Sequence, residues 1–167
     1  MNNRIKISEK ELKNVENDVQ AYLFLFLSKY YQELEVDPTV EYDPDVFGTY
    51  GVLVAYNVLH DEILEGGFLG MILNGYGNYI FNDRFAAMLK KWGIVQLALN
   101  VENAKEVYRK NIMRLEKLIL SPDISSLYCE FPEFNALDRD FLIMIEEETL
   151  KVKKFIQSNL NDFAILN

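Results

Sequence analysis

The sequence is poor in the residue types that build disulfide scaffolds and metal sites, with one cysteine, one histidine, one tryptophan and four prolines among 167 residues. A single thiol, Cys129, rules out an intramolecular disulfide and a metal site made of several cysteines, and we expect it to be reduced and packed. The most apolar run, residues 21–27, is much shorter than the roughly 20 residues of a membrane span. The amino terminus is polar and of mixed charge, unlike a secretory signal, so the sequence predicts a cytoplasmic protein with no membrane contact.

The composition is that of a globular domain with a substantial core, because 50% of the residues are hydrophobic and 13% are aromatic. Domains commonly contain roughly 100–150 residues, so we expect residues 1–167 to form one domain. No internal repeat and no low-complexity linker divides the chain. Alternation of apolar and polar residues, which is typical of strands, is nowhere sustained.

Capping residues and helical spacing of apolar residues predict an all-α fold, a single-domain bundle of five or six helices. Ser8 and Glu11 form a capping box, Asp43 with Pro44 begins a second helix, and Asn82 caps a third. We expect helices over residues 8–34, 44–65, 83–92, 100–120 and 138–160, with a compact turn or short helix at 68–74.

The net charge of −9 argues against direct binding to nucleic acid, which requires a basic face, and favours a protein partner with a basic surface. The charge is unevenly distributed. Residues 21–83 carry a net charge of −9 and residues 118–150 carry −7, whereas residues 84–117 between them carry +5. Two acidic blocks therefore flank a basic helix.

The two acidic blocks are the candidate interaction surface of the protein. The first block contains Glu33, Glu35, Asp37, Glu41, Asp43 and Asp45. The second contains Asp138 and the candidate surface residues Glu130, Glu133, Asp140, Glu146, Glu147 and Glu148. One helix alone carries fewer charges per unit length than a DNA duplex, so imitation of DNA would require the two blocks to converge, or two subunits to join theirs.

Glu62 and His60 form the one cluster that suggests acid–base chemistry, but the spacing does not favour a metal site. The residues at the helical offsets of His60 are Tyr56 and Leu64, and no nucleophile or second histidine accompanies it. Glu62 lies on a helical face of small apolar residues, which predicts a buried carboxylate that must find hydrogen-bond donors. The nearest donors are the backbone N–H groups of Gly66-Gly67-Phe68 and the amide of Asn74, so we interpret Glu62 as a structural clamp. We expect no catalytic residues, no cofactor and no metal.

The chain contains two short motifs of note. The first is Glu62 followed by Gly66-Gly67-Phe68 and then Asn74; the second is the pentapeptide at 137–141, Leu-Asp-Arg-Asp-Phe. Together they resemble a bacterial family of DNA-mimic-protein-like sequences. The resemblance covers about residues 46–158. It implies an all-α, non-enzymatic protein that presents acidic side chains to a DNA-binding protein, with a homodimer as one form.

Alternative functions remain open at this point. An immunity-type inhibitor would use the same acidic surface to plug the basic cleft of a toxin nuclease, so it differs from a DNA mimic in its partner and not in its physics. A hydrolase centred on Glu62 and His60 is a third hypothesis, and a purely structural or oligomerisation role is a fourth. The residues alone do not identify the partner.

Overall fold

The computed structural model describes residues 4–33, 44–119 and 124–167, and it confirms the all-α fold class. The helices in these ranges pack as one bundle and exceed the five or six that were expected, because several short helices connect the long ones. The helices are α1 (Glu9–Val15), α2 (Val19–Glu33), α3 (Pro44–Leu73), α4 (Gly77–Ile80), α5 (Asp83–Lys91), α6 (Val95–Ile119), α7 (Ile124–Glu130), α8 (Glu133–Ser158) and α9 (Leu160–Phe163).

The first helix begins where the sequence predicts, but the predicted helix is divided into two, α1 and α2. The Ser8 hydroxyl accepts a hydrogen bond from the backbone N–H of Glu11, and the Glu11 carboxylate accepts one from the Ser8 N–H. That second bond, with a smaller contribution from nearby Lys29, lowers the pKa of Glu11 to about 2. The chain then breaks before α2, where the Asp18 carboxylate accepts a hydrogen bond from the Ala21 N–H and caps the new helix.

Helix α3 forms the centre of the bundle and is interrupted at two glycines. Gly48 and Gly67 have positive φ angles of 63° and 66°, which glycine adopts without the steric cost of a Cβ atom. The predicted end of the helix at Gly66-Gly67 is therefore confirmed, as is the short helical segment that follows it. Residues 50–56 are buried on every side, so this part of α3 has no polar face.

Two of the later helices, α6 and α8, begin earlier than the sequence indicates. Helix α5 starts as predicted, because the side chain of Asn82 accepts hydrogen bonds from the N–H groups of Arg84 and Phe85. Helix α6, however, starts at Val95, so Asn100 is a buried residue within it and not its cap. Helix α8 starts at Glu133, and α7 lies between the expected helices 100–120 and 138–160, where no helix was predicted. Cys129 at the end of α7 is exposed, so the expectation of a packed thiol was wrong.

Two short strands, which the sequence analysis did not predict, join the two ends of the described chain. Strand β1 (Ile5–Ile7) pairs in parallel with β2 (Ala164–Leu166), with Ile5 opposite Ala164. Below them, Trp92 stacks on Phe155 with 4.6 Å between ring centroids, and both rings lie edge-on to Phe163. This aromatic cluster fixes the carboxy-terminal end of α8 against the rest of the bundle.

None of the helices in the described part of the chain combines the length and apolar character that crossing a bilayer would require.

Candidate functional site

The Gly-Gly-Phe turn inside α3 is held by residues of α7 and α8. The backbone N–H of Phe68 donates a 2.9 Å hydrogen bond to Oδ1 of Asp138. The Tyr128 hydroxyl lies 3.1 Å from the carbonyl oxygen of Gly66 and 2.8 Å from Oδ2 of Asp138. Burial raises the pKa of Asp138, and these two hydrogen-bond donors oppose part of that rise. We call the arrangement of Gly66, Phe68, Tyr128 and Asp138 the latch.

Gly67 is required by the latch for two reasons. Its φ and ψ of 66° and −175° lie in a region that is essentially restricted to glycine. A Cβ atom at this position would also overlap the Tyr128 hydroxyl and the Asp138 carboxylate, and it would lie 2.9 Å from Cγ of Asp138. The two motifs found in the sequence are therefore parts of one structural unit.

Glu62 occupies a different position from the one expected. It is only half-buried, so the prediction of a buried carboxylate was wrong. The part of α3 just before the break at Gly67 reaches the surface, where Asp61, Leu64 and Glu65 are exposed. The predicted contact with Asn74 is present, with Nδ2 donating a 2.7 Å hydrogen bond to Oε2 of Glu62. The Phe68 N–H, which was also assigned to Glu62, instead pairs with Asp138.

His60 and Glu62 have separate partners. The imidazole Nδ1 lies 2.9 Å from Oδ1 of Asp61, and the ring packs beside Tyr56 with 6.0 Å between centroids. In the described ranges, no three His, Cys, Asp or Glu side chains are grouped so that they could hold a metal ion. The geometry does not bring His60 and Glu62 together around a common reacting atom.

The second acidic block is split between the surface and the core. Glu133, Asp140, Glu146 and Glu147 are exposed along α8. Glu147 lies 3.2 Å from Nζ of Lys151, whereas Glu133, Asp140 and Glu146 form no ion pair with any residue that the structure describes. Glu130, at the end of α7, is exposed and forms a 2.7 Å ion pair with Arg114.

Glu148 was included in the candidate surface, and that assignment was wrong because its side chain is only 1% exposed. Its Oε2 accepts a 3.1 Å hydrogen bond from the backbone N–H of Leu97, and its Oε1 lies 2.6 Å from Nζ of Lys151. Successive residues of a helix point about 100° apart, so three adjacent glutamates cannot share one face. The third one caps the amino terminus of α6, where the helix dipole favours a negative charge.

Most of the first acidic block lies outside the described residues. Glu35, Asp37, Glu41 and Asp43 fall in the segment that the structure does not describe, as does the side chain of Asp45. Glu33 ends α2 at the surface, where Oε2 accepts a 3.0 Å hydrogen bond from the Lys6 N–H and Oε1 lies 3.7 Å from Lys29. This glutamate therefore supports the local structure of the amino-terminal region.

Other acids of the chain lie close in sequence to the residues of the latch. Asp61, Glu62 and Glu65 precede the Gly-Gly-Phe turn, and the latch joins that turn to Tyr128 and Asp138, which flank Glu130 and Glu133 in the chain. We call Asp61, Glu62, Glu65, Glu130 and Glu133 the acidic junction, and the exposed acids of α8 extend it along one helix. Charge counting alone did not single out residues 61–65, because their link to the second block runs through the latch, which joins the two motifs.

Comparison with known sequences identifies the family. The model of the DMP19-like protein family matches residues 50–159. The chain belongs to the DMP19-like protein family. One relative is the DNA mimic protein DMP19 of Neisseria meningitidis serogroup B, with 34% identity over 113 residues, 67% of this chain and 68% of the relative. The resemblance inferred from the two motifs is thus confirmed.

The DMP19-like region contains the whole latch and the exposed acids of α8. It also contains basic residues of α5 and α6 that pair within the molecule. Lys105 is buried and forms an ion pair with Asp83, which also lies 3.5 Å from Arg109, and Lys90 lies 2.7 Å from Glu102. These pairs neutralise part of the basic segment, whereas Glu133, Asp140 and Glu146 of α8 form no ion pair within the described structure.

Proposed function

We propose that this protein is a non-enzymatic acidic binding protein that occupies the basic DNA-binding site of a protein partner. The observation that carries the proposal is the set of unpaired, exposed acids Glu133, Asp140 and Glu146 on α8, adjoining the acidic junction. The relationship to a protein named as a DNA mimic supports the same function. We place the protein in the cytoplasm, where a DNA-binding partner would meet it.

The acids of α8 extend over a length comparable to several phosphates of one DNA strand. From Glu133 to Glu147 the helix axis rises about 21 Å, at about 1.5 Å per residue. One strand carries about six phosphates over that length. Of the four exposed acids of α8, Glu133, Asp140 and Glu147 are seven residues apart and share one face, whereas Glu146 points about 100° away. A homodimer would extend this surface further by joining two copies.

Binding of this kind is driven by long-range attraction and is sensitive to salt. Complementary charge accelerates association, and the Debye length falls from about 10 Å at 0.1 M salt to about 3 Å at 1 M. We therefore expect the affinity for a basic partner to fall steeply as salt is added. We expect no direct binding to nucleic acid, because the acidic face repels phosphates.

A capture experiment tests the proposal. The full chain is immobilised and exposed to native lysate at low and at high salt, and retained proteins are identified by mass spectrometry. We expect a DNA-binding protein that is retained at low salt, is lost at high salt and is released by an added DNA duplex. Retention of a co-encoded toxin nuclease would instead favour the immunity-type inhibitor.

A pair of matched variants distinguishes the effect of the exposed acids of α8 from the effect of net charge. Glu133→Gln/Asp140→Asn/Glu146→Gln and Glu16→Gln/Glu106→Gln/Glu116→Gln each remove three exposed negative charges, the first set from α8 and the second from other surfaces. Only the first set should abolish capture. Equal loss in both variants, or no retained protein at either salt concentration, would contradict the proposal.

A further inference from the structure

A groove of about 420 Å³ lies between α6 and α8, beside the exposed acids. Its lining is mixed: Leu99, Ile143 and Met144 are apolar, Asn100 and Asn103 carry amides, and Asp140 is acidic. The groove therefore borders the surface assigned to partner binding and shares Asp140 with it.

Asn100 is an unusual residue in the wall of this groove. The residue is 4% exposed, and its Nδ2 donates a 3.0 Å hydrogen bond to the carbonyl oxygen of Leu137. Its Oδ1 is buried and has no hydrogen-bond partner. A buried acceptor without a donor costs free energy, and such groups in folded proteins call for an explanation. A ligand that supplies an N–H group would remove that cost.

The rim of the groove is apolar where a surface helix is normally polar. Ile143 is 82% exposed and Leu99 is 42% exposed. Asp140, Ile143, Glu147 and Leu150 are spaced three or four residues apart, so acidic and apolar side chains alternate along one face of α8. An occupant that matches this face carries apolar and basic side chains side by side.

We infer that the groove receives an apolar side chain of the basic protein partner, with a neighbouring N–H group donating to Oδ1 of Asn100. Lysine or arginine residues on either side of that apolar side chain pair with Asp140 and Glu147. This inference rests on the proposed function and specifies what the partner must present besides positive charge. Charge alone attracts many basic proteins, whereas the groove selects those with an apolar residue at the right place.

A second copy of this chain fits the groove less well than a basic partner does. A twofold-symmetric dimer would place the same helix of both copies face to face. Asp140 and Glu147 of each copy would then approach their equivalents, and like charges across an interface oppose binding. The charge of the rim therefore favours a cationic occupant.

Two synthetic peptides provide the test. The first is acetyl-Lys-Arg-Leu-Arg-Lys-amide, and the second replaces its leucine with glycine. Each is titrated into the isotopically labelled full chain, and the methyl resonances of Leu99 and Ile143 and the side-chain amide of Asn100 are followed by NMR. Burial of the leucine should strengthen binding about tenfold over the glycine peptide and shift these three signals.

Matched variants show whether the groove is responsible. Ile143→Asn and Leu99→Asn should reduce the affinity for the leucine peptide to that for the glycine peptide. Met113→Asn is the control, because Met113 is also an exposed apolar residue of α6, at 73%, but lies outside the groove. It should change nothing. Thermal unfolding of each variant should match that of the parent, since all three side chains are exposed.

The outcomes distinguish failure of this inference from failure of the proposed function. Equal, salt-sensitive binding of both peptides would overturn the inference about the groove but would remain consistent with the proposed acidic binding surface. A preference for leucine that is independent of salt would contradict the cationic occupant and the proposed function together. Binding of neither peptide at millimolar concentration, or a dimer that Ile143→Asn dissociates, would also overturn the inference.

Discussion

Asp138 accepts a 2.9 Å hydrogen bond from the backbone N–H of Phe68, a residue 70 positions earlier in the chain. This bond joins the Gly-Gly-Phe motif of α3 to the Leu-Asp motif of α8. It fixes the Gly-Gly-Phe turn within α3 against the amino-terminal part of α8. The latch therefore links the two segments that contain the acidic junction, although its own residues do not form the exposed acidic surface.

Replacement of Gly67 by alanine should strongly destabilise the protein. The new Cβ would overlap Tyr128 and Asp138, and the backbone would be held in a conformation unfavourable to alanine, so we expect a loss of about 3 kcal/mol or more. Gly66→Ala is the matched control, because a Cβ atom added there would meet no other atom within 4 Å. Urea unfolding should show Gly66→Ala to be neutral or slightly stabilising. Similar losses in both variants would refute the specific role of Gly67.

The stability of the protein should depend more on the hydrogen-bond acceptors of Asp138 than on its charge. Asp138→Ala leaves the Phe68 N–H without an acceptor and should cost about 1–3 kcal/mol. Asp138→Asn keeps an acceptor for that N–H and should cost clearly less. Chemical denaturation of the two variants at neutral pH provides the measurement, and equal losses would contradict the hydrogen bond as the main contribution.

The raised pKa of Asp138 also predicts a dependence of stability on pH. The folded state binds the proton of this carboxyl more tightly than the unfolded state, whose pKa is near the ordinary value of 3.8. The contribution is therefore fully present below that value and is lost as the pH rises through the folded-state pKa. As the pH rises across this window, the free energy of unfolding of the parent should fall relative to that of Asp138→Asn. Above the window, the difference between the two proteins should be constant. A parallel pH profile of the two proteins would contradict the shift.

Local signals in the sequence were sufficient for the fold class and for several helix ends. Ser8, Asn82 and Gly67 each act through neighbours within a few positions, so their roles could be predicted from spacing. The partner of the Phe68 N–H could not, because Glu62 is close in sequence whereas Asp138 becomes close only when α8 packs on α3. Glu148 was misplaced for a similar reason: adjacent glutamates look alike in a sequence until a neighbouring helix buries one of them.

Glu148 should matter for stability and Glu147 should not, although the two are adjacent and identical in chemistry. Glu148→Ala removes the cap of the Leu97 N–H from a buried site and should cost about 1–3 kcal/mol. Glu147→Ala removes only an exposed ion pair with Lys151, which is worth at most about 1 kcal/mol. Thermal unfolding compares the two directly, and a larger loss for Glu147→Ala would show that the cap has been assigned to the wrong residue.

The hydrogen bond between Glu62 and Asn74 should make a small but measurable contribution to stability. This bond is half-exposed, so Glu62→Ala should cost about 0.5–1.5 kcal/mol. A double-mutant cycle with Asn74→Ala should return a coupling of the same order, because both single changes remove one shared bond. Additive effects of the two substitutions would show that the bond does not stabilise the fold, and loss of a measurable turnover in Glu62→Ala would favour the hydrolase hypothesis.

Competition with DNA tests the central claim most directly. A captured DNA-binding partner is bound to a fluorescently labelled duplex, and the full chain is added while anisotropy is recorded at low salt. The account predicts that the parent and Glu16→Gln/Glu106→Gln/Glu116→Gln displace the duplex, whereas Glu133→Gln/Asp140→Asn/Glu146→Gln does not. Displacement by all three proteins alike, or formation of a ternary complex with the duplex still bound, would contradict an acidic face that occupies the DNA-binding site.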